Sequence, residues 1–184
     1  MTLIPTHFYG GSTGLWQVEE WRVICGQPLV PVKRICIQPS IDPIPAGAHW
    51  WLRGVVSHER YVNRAERVAL RTHWSALGRP EATCAALIPI RKSEAWWLLT
   101  QEERREIFED QSAHIKTGLR LLPAVARRLY QSRDLGEEFD FITWFEFAPC
   151  HSQAFDDIVG TMRMSEEWQF VDREVDIRLR LLDD

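Results

Sequence analysis

The order of predicted segments in the second half of the chain constrains its fold more than any other feature. Residues 83–90 form a short apolar run typical of a strand. Residues 100–103 form a capping-box sequence, which predicts a helix that continues toward residue 118. The later segments predict strands over residues 125–133, 139–147 and 171–179 and a helix over residues 152–162. The order β-α-β-β-α-β predicts an α+β, ferredoxin-like unit with both helices on one face of an antiparallel sheet.

The first half of the chain is interpreted as an abridged version of the same plan. Strand-like segments cover residues 16–25, 29–37 and 50–57, and a helical pattern follows over residues 63–77. Turn residues at 78–80 separate this half from the next. The predicted organisation is therefore an N-terminal half, 1–80, and a C-terminal half, 81–184, within one compact chain.

The predicted strand over residues 139–147 indicates that one sheet face needs an apolar cover. Its period of two places five side chains on one face: Phe139, Phe141, Thr143, Phe145 and Phe147. The chain also has nine tryptophans, more flat apolar surface than a core of this size needs. We therefore expect a partner sheet, or a large apolar ligand between the sheet and its helices.

Charge and cysteine content exclude several classes of function. The 22 Lys and Arg residues against 26 Asp and Glu give a net charge of −4, which disfavours a nucleic-acid partner. The four cysteines lack the spacing of a zinc site or a disulfide framework. Residues 1–11 have neither the basic nor the apolar region of a signal peptide. We therefore expect a cytoplasmic protein with no membrane partner.

His114 and Arg127 are the first candidates for chemistry. Gly118 follows His114 by one helical turn and leaves room for a flat cofactor to approach the imidazole. A helix histidine satisfied by backbone or solvent would give the same pattern. Alternation places Arg127 on a strand face with Val125 and Leu129, where a guanidinium needs an anion. An arginine that reaches the sheet edge, or that pairs with a carboxylate, is the alternative.

Lys92, Trp96 and Glu167 form a second group of candidates. A lysine at a strand end, just before a tryptophan, can hold carboxylates at the mouth of an apolar pocket. A solvated lysine and a core tryptophan are the simpler interpretation. Glu167 could accept a hydrogen bond from a ligating histidine, although acidic residues after a helix are commonly surface residues.

Five segments are similar to the chlorite dismutase family of haem b proteins. They read IPIRKSEAWW at 88–97, QSAHIKTG at 111–118, ARRLY at 126–130, FDFITWFE at 139–146 and EWQFVDREVD at 167–176. The resemblance covers about residues 51–179, and the motifs recur in order with family-like spacing. The chain length resembles the short, dimeric branch of the family. The resemblance thus implies a homodimer of the dimeric α/β barrel superfamily.

The resemblance also implies roles for individual residues. His114 would be the proximal iron ligand of haem b, and Glu167 would accept a hydrogen bond from its other ring nitrogen. Arg127 would be the distal arginine that retains hypochlorite while chlorite becomes chloride and dioxygen. Lys92, with Tyr61 and Trp96, would contact the haem propionates.

The tryptophans divide between ligand and core in the same interpretation. Trp96 and Trp97 are expected beside the propionate contact, and Trp144 and Trp168 are expected near the pocket. The remaining tryptophans are assigned to the core or to dimer contacts.

Two alternatives share the same cofactor. One is a haem-binding or haem-trafficking protein of the same family without chlorite turnover. The other is a coproheme decarboxylase or peroxidase-like relative. The decarboxylases use a tyrosine four residues before the lysine that matches Lys92, and this chain has Ile88 there. The missing tyrosine, together with Arg127, favours chlorite chemistry.

Overall fold

Eight antiparallel strands close into a barrel in the computed structural model, which describes residues 4–39, 43–57, 62–72 and 75–182. The strands are β1 (Thr6–Gly11), β2 (Trp16–Cys25), β3 (Arg34–Pro39), β4 (Ala48–Val56), β5 (Cys84–Lys92), β6 (Val125–Gln131), β7 (Phe141–Phe147) and β8 (Val171–Leu181). Their order around the barrel is β1-β3-β2-β8-β5-β7-β6-β4. The predicted partner sheet is therefore the other half of the same barrel.

The second half of the chain has the predicted ferredoxin-like arrangement. Its strands lie in the order β8-β5-β7-β6, and every neighbouring pair is antiparallel. Its helices are α2 (Glu94–Leu98), α3 (Gln101–Arg105), a π-helix (Glu106–Gln111), α4 (His114–Leu119) and α5 (Ser152–Arg163). The helices up to α4 connect β5 to β6, and α5 connects β7 to β8, which confirms the β-α-β-β-α-β order.

The first half repeats the same strand order without the connecting helices. Its strands lie in the order β4-β1-β3-β2, and α1 (Arg64–Thr72) follows β4. Pairing of β2 with β8 and of β4 with β6 joins the two halves. The abridged unit expected from the sequence is thus present, although β3 begins later than the predicted residue 29.

Strand β1 has no counterpart in the sequence analysis, which predicts no strand before residue 16. The strand pairs with both β3 and β4, and Phe8 and Tyr9 are buried. Gly10 is needed because a Cβ there would lie 2.2 Å from ring atoms of Trp50. The glycine therefore allows a close approach between neighbouring strands rather than ending one.

Two apolar clusters lie on opposite faces of the sheet. The barrel interior contains Phe8, Trp16, Trp144 and Ile177, whereas Phe155 belongs to the cluster between the sheet and its helices. Strand alternation explains the separation, since neighbouring residues of β7 point to opposite faces. Trp144 thus packs within the barrel, and its expected position near the pocket was wrong.

Phe139 also departs from the expected face. It precedes β7 and packs in the barrel interior, where Arg173 lies over its ring at 4.3 Å. The face with a period of two therefore begins at Phe141, because β7 begins there and the alternation of a strand does not extend back to Phe139.

The helix predicted from residue 100 toward residue 118 is interrupted. The capping box at Thr100 is present, but α3 passes into a π-helix that ends before Ala113. Ala113 has a left-handed backbone with φ of 49°, which separates the π-helix from α4. His114 therefore begins α4 instead of lying late on a single helix.

We expect Thr100→Ala to lower the free energy of unfolding by about 1 kcal/mol, because the side chain caps the Glu103 backbone N–H at 3.2 Å. Thr72→Ala is the matched control, since the Thr72 hydroxyl donates to a carbonyl within an exposed turn of α1. The control is expected to change stability by no more than about 0.5 kcal/mol. Denaturant unfolding measures both, and equal effects would contradict the capping role.

Candidate functional site

A cavity of about 410 Å³ lies between the outer face of the sheet and helices α1, α4 and α5. Apolar side chains dominate its walls, including Ile88, Leu129 and Phe145 from the strands and Val159 from α5. Its volume is typical of sites for small molecules and cofactors. This cavity therefore lies where the apolar ligand was expected, between the sheet and its helices.

Five of the six predicted site residues line this one cavity. They are His114, Arg127, Lys92, Trp96 and Glu167. The sixth, Tyr61, lies outside the described residues. The fold thus brings together residues from two strands, two helices and the turn before β8.

His114 is held in a fixed orientation by an aromatic stack and a carboxylate. Its ring lies between Phe108, with centroids 4.3 Å apart, and Trp168, with centroids 6.2 Å apart. Its Nδ1 lies 2.6 Å from Oε2 of Glu167. Within the described ranges no hydrogen bond reaches Nε2, so this nitrogen is available to a ligand in the cavity.

The start of α4 is positioned by hydrogen bonds to two other segments. The carboxylate of Glu109, in the π-helix, accepts hydrogen bonds from the backbone N–H of Ile115 at 2.6 Å and of Lys116 at 3.3 Å. The backbone N–H of Glu167 donates to the Ser112 hydroxyl at 2.9 Å. These bonds tie α4 to the segment that carries the carboxylate partner of the histidine.

Glu167 is a buried carboxylate shared by two nitrogen-bearing side chains. Its Oε1 lies 2.7 Å from Nζ of Lys92, while Oε2 contacts His114. Only 5% of the Glu167 side chain and 4% of the Lys92 side chain are exposed. Burial alone would raise the pKa of Glu167, but the interactions with His114 and Lys92 outweigh it and lower the pKa to about 2. The carboxylate is therefore ionised and accepts the Nδ1 proton.

Lys92 forms an ion pair with Glu167 in the cavity wall, and its contact with a propionate stays a prediction. Its ammonium is buried against Glu167 and lies 4.6 Å from the centre of the Trp96 ring. The reason is strand alternation, which turns the lysine toward the helices, where a buried cation needs a counter-ion. The structure thus makes Lys92 a support for Glu167, and Trp96 packs against that lysine.

Arg127 presents a cation to the cavity. It shares its side of β6 with Val125 and Leu129, as strand alternation predicted, and all three line the cavity. Among the described residues, nothing forms a hydrogen bond or ion pair with its guanidinium. Burial lowers the pKa of Arg127, and the Glu167 carboxylate partly opposes this effect. Such a group favours an anionic ligand.

The sequence interpretation missed several residues of the site. Phe108 and Trp168 orient His114, and Arg67 and Arg71 of α1 line the cavity. For the segment containing Arg67, the sequence indicates only a helical pattern over residues 63–77. The four-residue spacing of the two arginines, with Leu70 beside them, was the available signal for a shared face.

Fold and site together define an α+β protein with a ligand cavity that holds an oriented histidine and a half-buried arginine. Comparison with known families is more specific, because residues 47–179 match the family model described as chlorite dismutase. The chain belongs to the chlorite dismutase family.

Individual relatives agree with this assignment. The crystal structure of dimeric chlorite dismutases from Nitrobacter winogradskyi is 53% identical and has a TM-score of 0.90, over 96% of this chain and 99% of that one. Chlorite dismutase from Candidatus Nitrospira defluvii, in complex with imidazole, is 26% identical with a TM-score of 0.59, over 72% and 55% of the two chains.

A curated chlorite dismutase from Ideonella dechloratans is also similar to part of the chain. It is 40% identical over 62 residues, which is 34% of this chain. The match spans 20% of that relative's length. Separately, no helix in the described part of the chain is both long and apolar enough to cross a membrane.

Proposed function

We propose that the protein is a haem b chlorite dismutase that converts chlorite to chloride and dioxygen. The observation that carries the proposal is the joint presence, in one apolar cavity, of a carboxylate-bound histidine and an arginine without a partner among the described residues. The 53% identity to dimeric chlorite dismutases over nearly the whole chain supports it. Ile88 in place of a tyrosine favours this reaction over coproheme decarboxylation.

The donor set of the cavity suits haem b. Among the described residues that line it, His114 is the one histidine, and it offers a single ring nitrogen. One such ligand would fit an iron whose other protein-independent bonds are made by a macrocycle. His114 would hold the iron through Nε2, and the apolar walls would contact the faces of the macrocycle. Haem b, when bound, would supply the redox chemistry on chlorite.

Glu167 and Lys92 would tune the histidine from the other side. Because Glu167 is ionised and accepts the Nδ1 proton, it fixes the tautomer that leaves Nε2 unprotonated. The hydrogen bond also makes the imidazole a stronger electron donor. Lys92 keeps the carboxylate in place and in its charged form.

Arg127 would act on the anions of the reaction. Its charge favours binding of chlorite in the cavity, and it would retain hypochlorite until it is consumed. The apolar walls strengthen this interaction, because they exclude water that would screen the charge.

We also propose that the chain forms a homodimer and that its two halves, 1–80 and 81–184, fold as one unit of the dimeric α/β barrel superfamily. The relative from Nitrobacter winogradskyi is described as dimeric. Each half contributes four strands to the closed sheet, so neither half closes the barrel alone. Light scattering of the purified protein tests the dimer, and a monomer would reject it.

The activity is tested with haem-loaded protein in an oxygen electrode. We expect dioxygen release on addition of chlorite across the mildly acidic to neutral range. His114→Ala is expected to remove the side chain that would hold the iron and to change the haem spectrum, with loss of dioxygen release. Haem binding without dioxygen release by the unmodified protein would reject the activity and favour a haem carrier. An unchanged spectrum in the variant would reject His114 as the ligand.

A further inference from the structure

Helix α1 places two arginines on the cavity. Arg67 and Arg71 are four residues apart, so they lie on one face of the helix a single turn apart, and both line the cavity with Leu70. Both side chains are exposed, so they lie where the cavity meets solvent. A ligand with an apolar body inside the cavity would present its polar end to them.

The helix that carries these arginines is attached near both ends. The Arg105 guanidinium of α3 donates to both oxygens of Glu66, at 2.8 and 2.5 Å. Beyond the C-terminal end of α1, the Ser75 hydroxyl donates to the Pro123 carbonyl at 2.5 Å, just before β6. These contacts, from Glu66 to Arg105 and from Ser75 to Pro123, position α1 across the cavity.

The other two cations of the cavity are less exposed than these arginines. Lys92 is buried against Glu167, and Arg127 lies in the strand with apolar neighbours. Of the four cationic lining residues in the described ranges, Arg67 and Arg71 are the two with exposed side chains. A ligand carboxylate held there would stay partly hydrated, which avoids the cost of burying it.

We propose that Arg67 and Arg71 bind the two propionate carboxylates of haem. The proposal rests on haem being the ligand of the proposed function, and it assigns contacts in addition to the one expected from Lys92. Guanidinium groups can bind carboxylates with two hydrogen bonds each, which also fixes the direction in which the macrocycle enters the cavity.

The test compares haem with its dimethyl ester, in which both carboxylates are neutral. The binding affinity of each ligand is measured by quenching of tryptophan fluorescence, for the unmodified protein and for Arg67→Gln/Arg71→Gln. We expect the double variant to bind haem about tenfold more weakly. Its affinity for the ester is expected to change by less than about twofold, because the ester offers the arginines no charge.

Arg64→Gln/Arg120→Gln is the matched control, since it removes the same charge from two residues that do not line the cavity. We expect it to bind both ligands as the unmodified protein does. Equal haem affinity of all variants would overturn the proposal. An equal loss of affinity for haem and for the ester in the Arg67→Gln/Arg71→Gln variant would also overturn it, because it would indicate a structural role for the two arginines. A higher KM for chlorite with unchanged haem affinity would assign the arginines to the substrate instead.

This proposal and the proposed activity fail in different ways. Haem binding that depends on Arg67 and Arg71, without dioxygen release, would reject the activity and support the propionate contact. Dioxygen release by a protein whose haem affinity does not depend on either arginine would support the activity and reject the propionate contact. No haem binding by the unmodified protein would reject both.

Discussion

Glu167→Gln is expected to lower the free energy of unfolding by about 3–5 kcal/mol, because it leaves the Lys92 ammonium buried without its counter-ion. Glutamine has the shape of glutamate and can still accept one hydrogen bond, so the change removes the charge and little volume. Denaturant unfolding of the haem-free protein, followed by tryptophan fluorescence, measures the effect without a contribution from ligand binding.

The double variant Lys92→Met/Glu167→Gln separates the lost charge pair from lost packing. Methionine fills part of the lysine volume without a charge, so the double variant should be more stable than Glu167→Gln alone. A single variant that loses less than about 1 kcal/mol, or a double variant that is no more stable than it, would contradict the role assigned to the pair.

The same pair gives a defined pH dependence. The pKa of Glu167 is about 2 in the folded chain, below its ordinary value of 4.5. A lowered carboxyl pKa stabilises the folded state above pH 4.5, and that contribution is lost as the pH falls from there toward 2. The stability difference between the unmodified protein and Glu167→Gln should therefore narrow across this range.

Local sequence patterns were sufficient for most of the fold. The capping box at Thr100 began a helix where expected, and the alternation over 141–147 marked a strand. Patterns failed where a contact distant in sequence decides the outcome. Gly10 lies inside β1, where the Trp50 ring leaves no room for a Cβ. Ala113 has a left-handed backbone that interrupts the predicted helix, although the sequence around it contains no helix stop signal.

The candidate site also contains features that the sequence predicts and features that it does not. Alternation along β6 was enough to place Arg127 among apolar neighbours. The partner of Lys92 was not predictable from spacing, because Glu167 lies 75 residues away and meets the lysine only when the turn before β8 folds over β5. The resemblance named Lys92 as a residue of the site, but only the contacts identify the carboxylate that it serves.

Arg127→Ala is expected to lower turnover of chlorite by about 100-fold, because it removes the cation that stabilises and retains the anions of the reaction. Haem should remain bound, since His114 and the apolar walls of the cavity are unchanged. More hypochlorite should also escape for each chlorite consumed. The oxygen electrode measures turnover, and a chlorination trap in solution measures the escape.

Arg127→Lys tests whether charge alone is enough at this position. Lysine keeps the positive charge but not the planar, two-pronged donor, so we expect turnover between that of the alanine variant and that of the unmodified protein. Arg120→Ala, which removes an exposed cation outside the cavity, should leave both turnover and escape unchanged. If Arg127→Ala retained full turnover without extra escape of hypochlorite, the anion would be held by other groups, and the role assigned to Arg127 would be rejected.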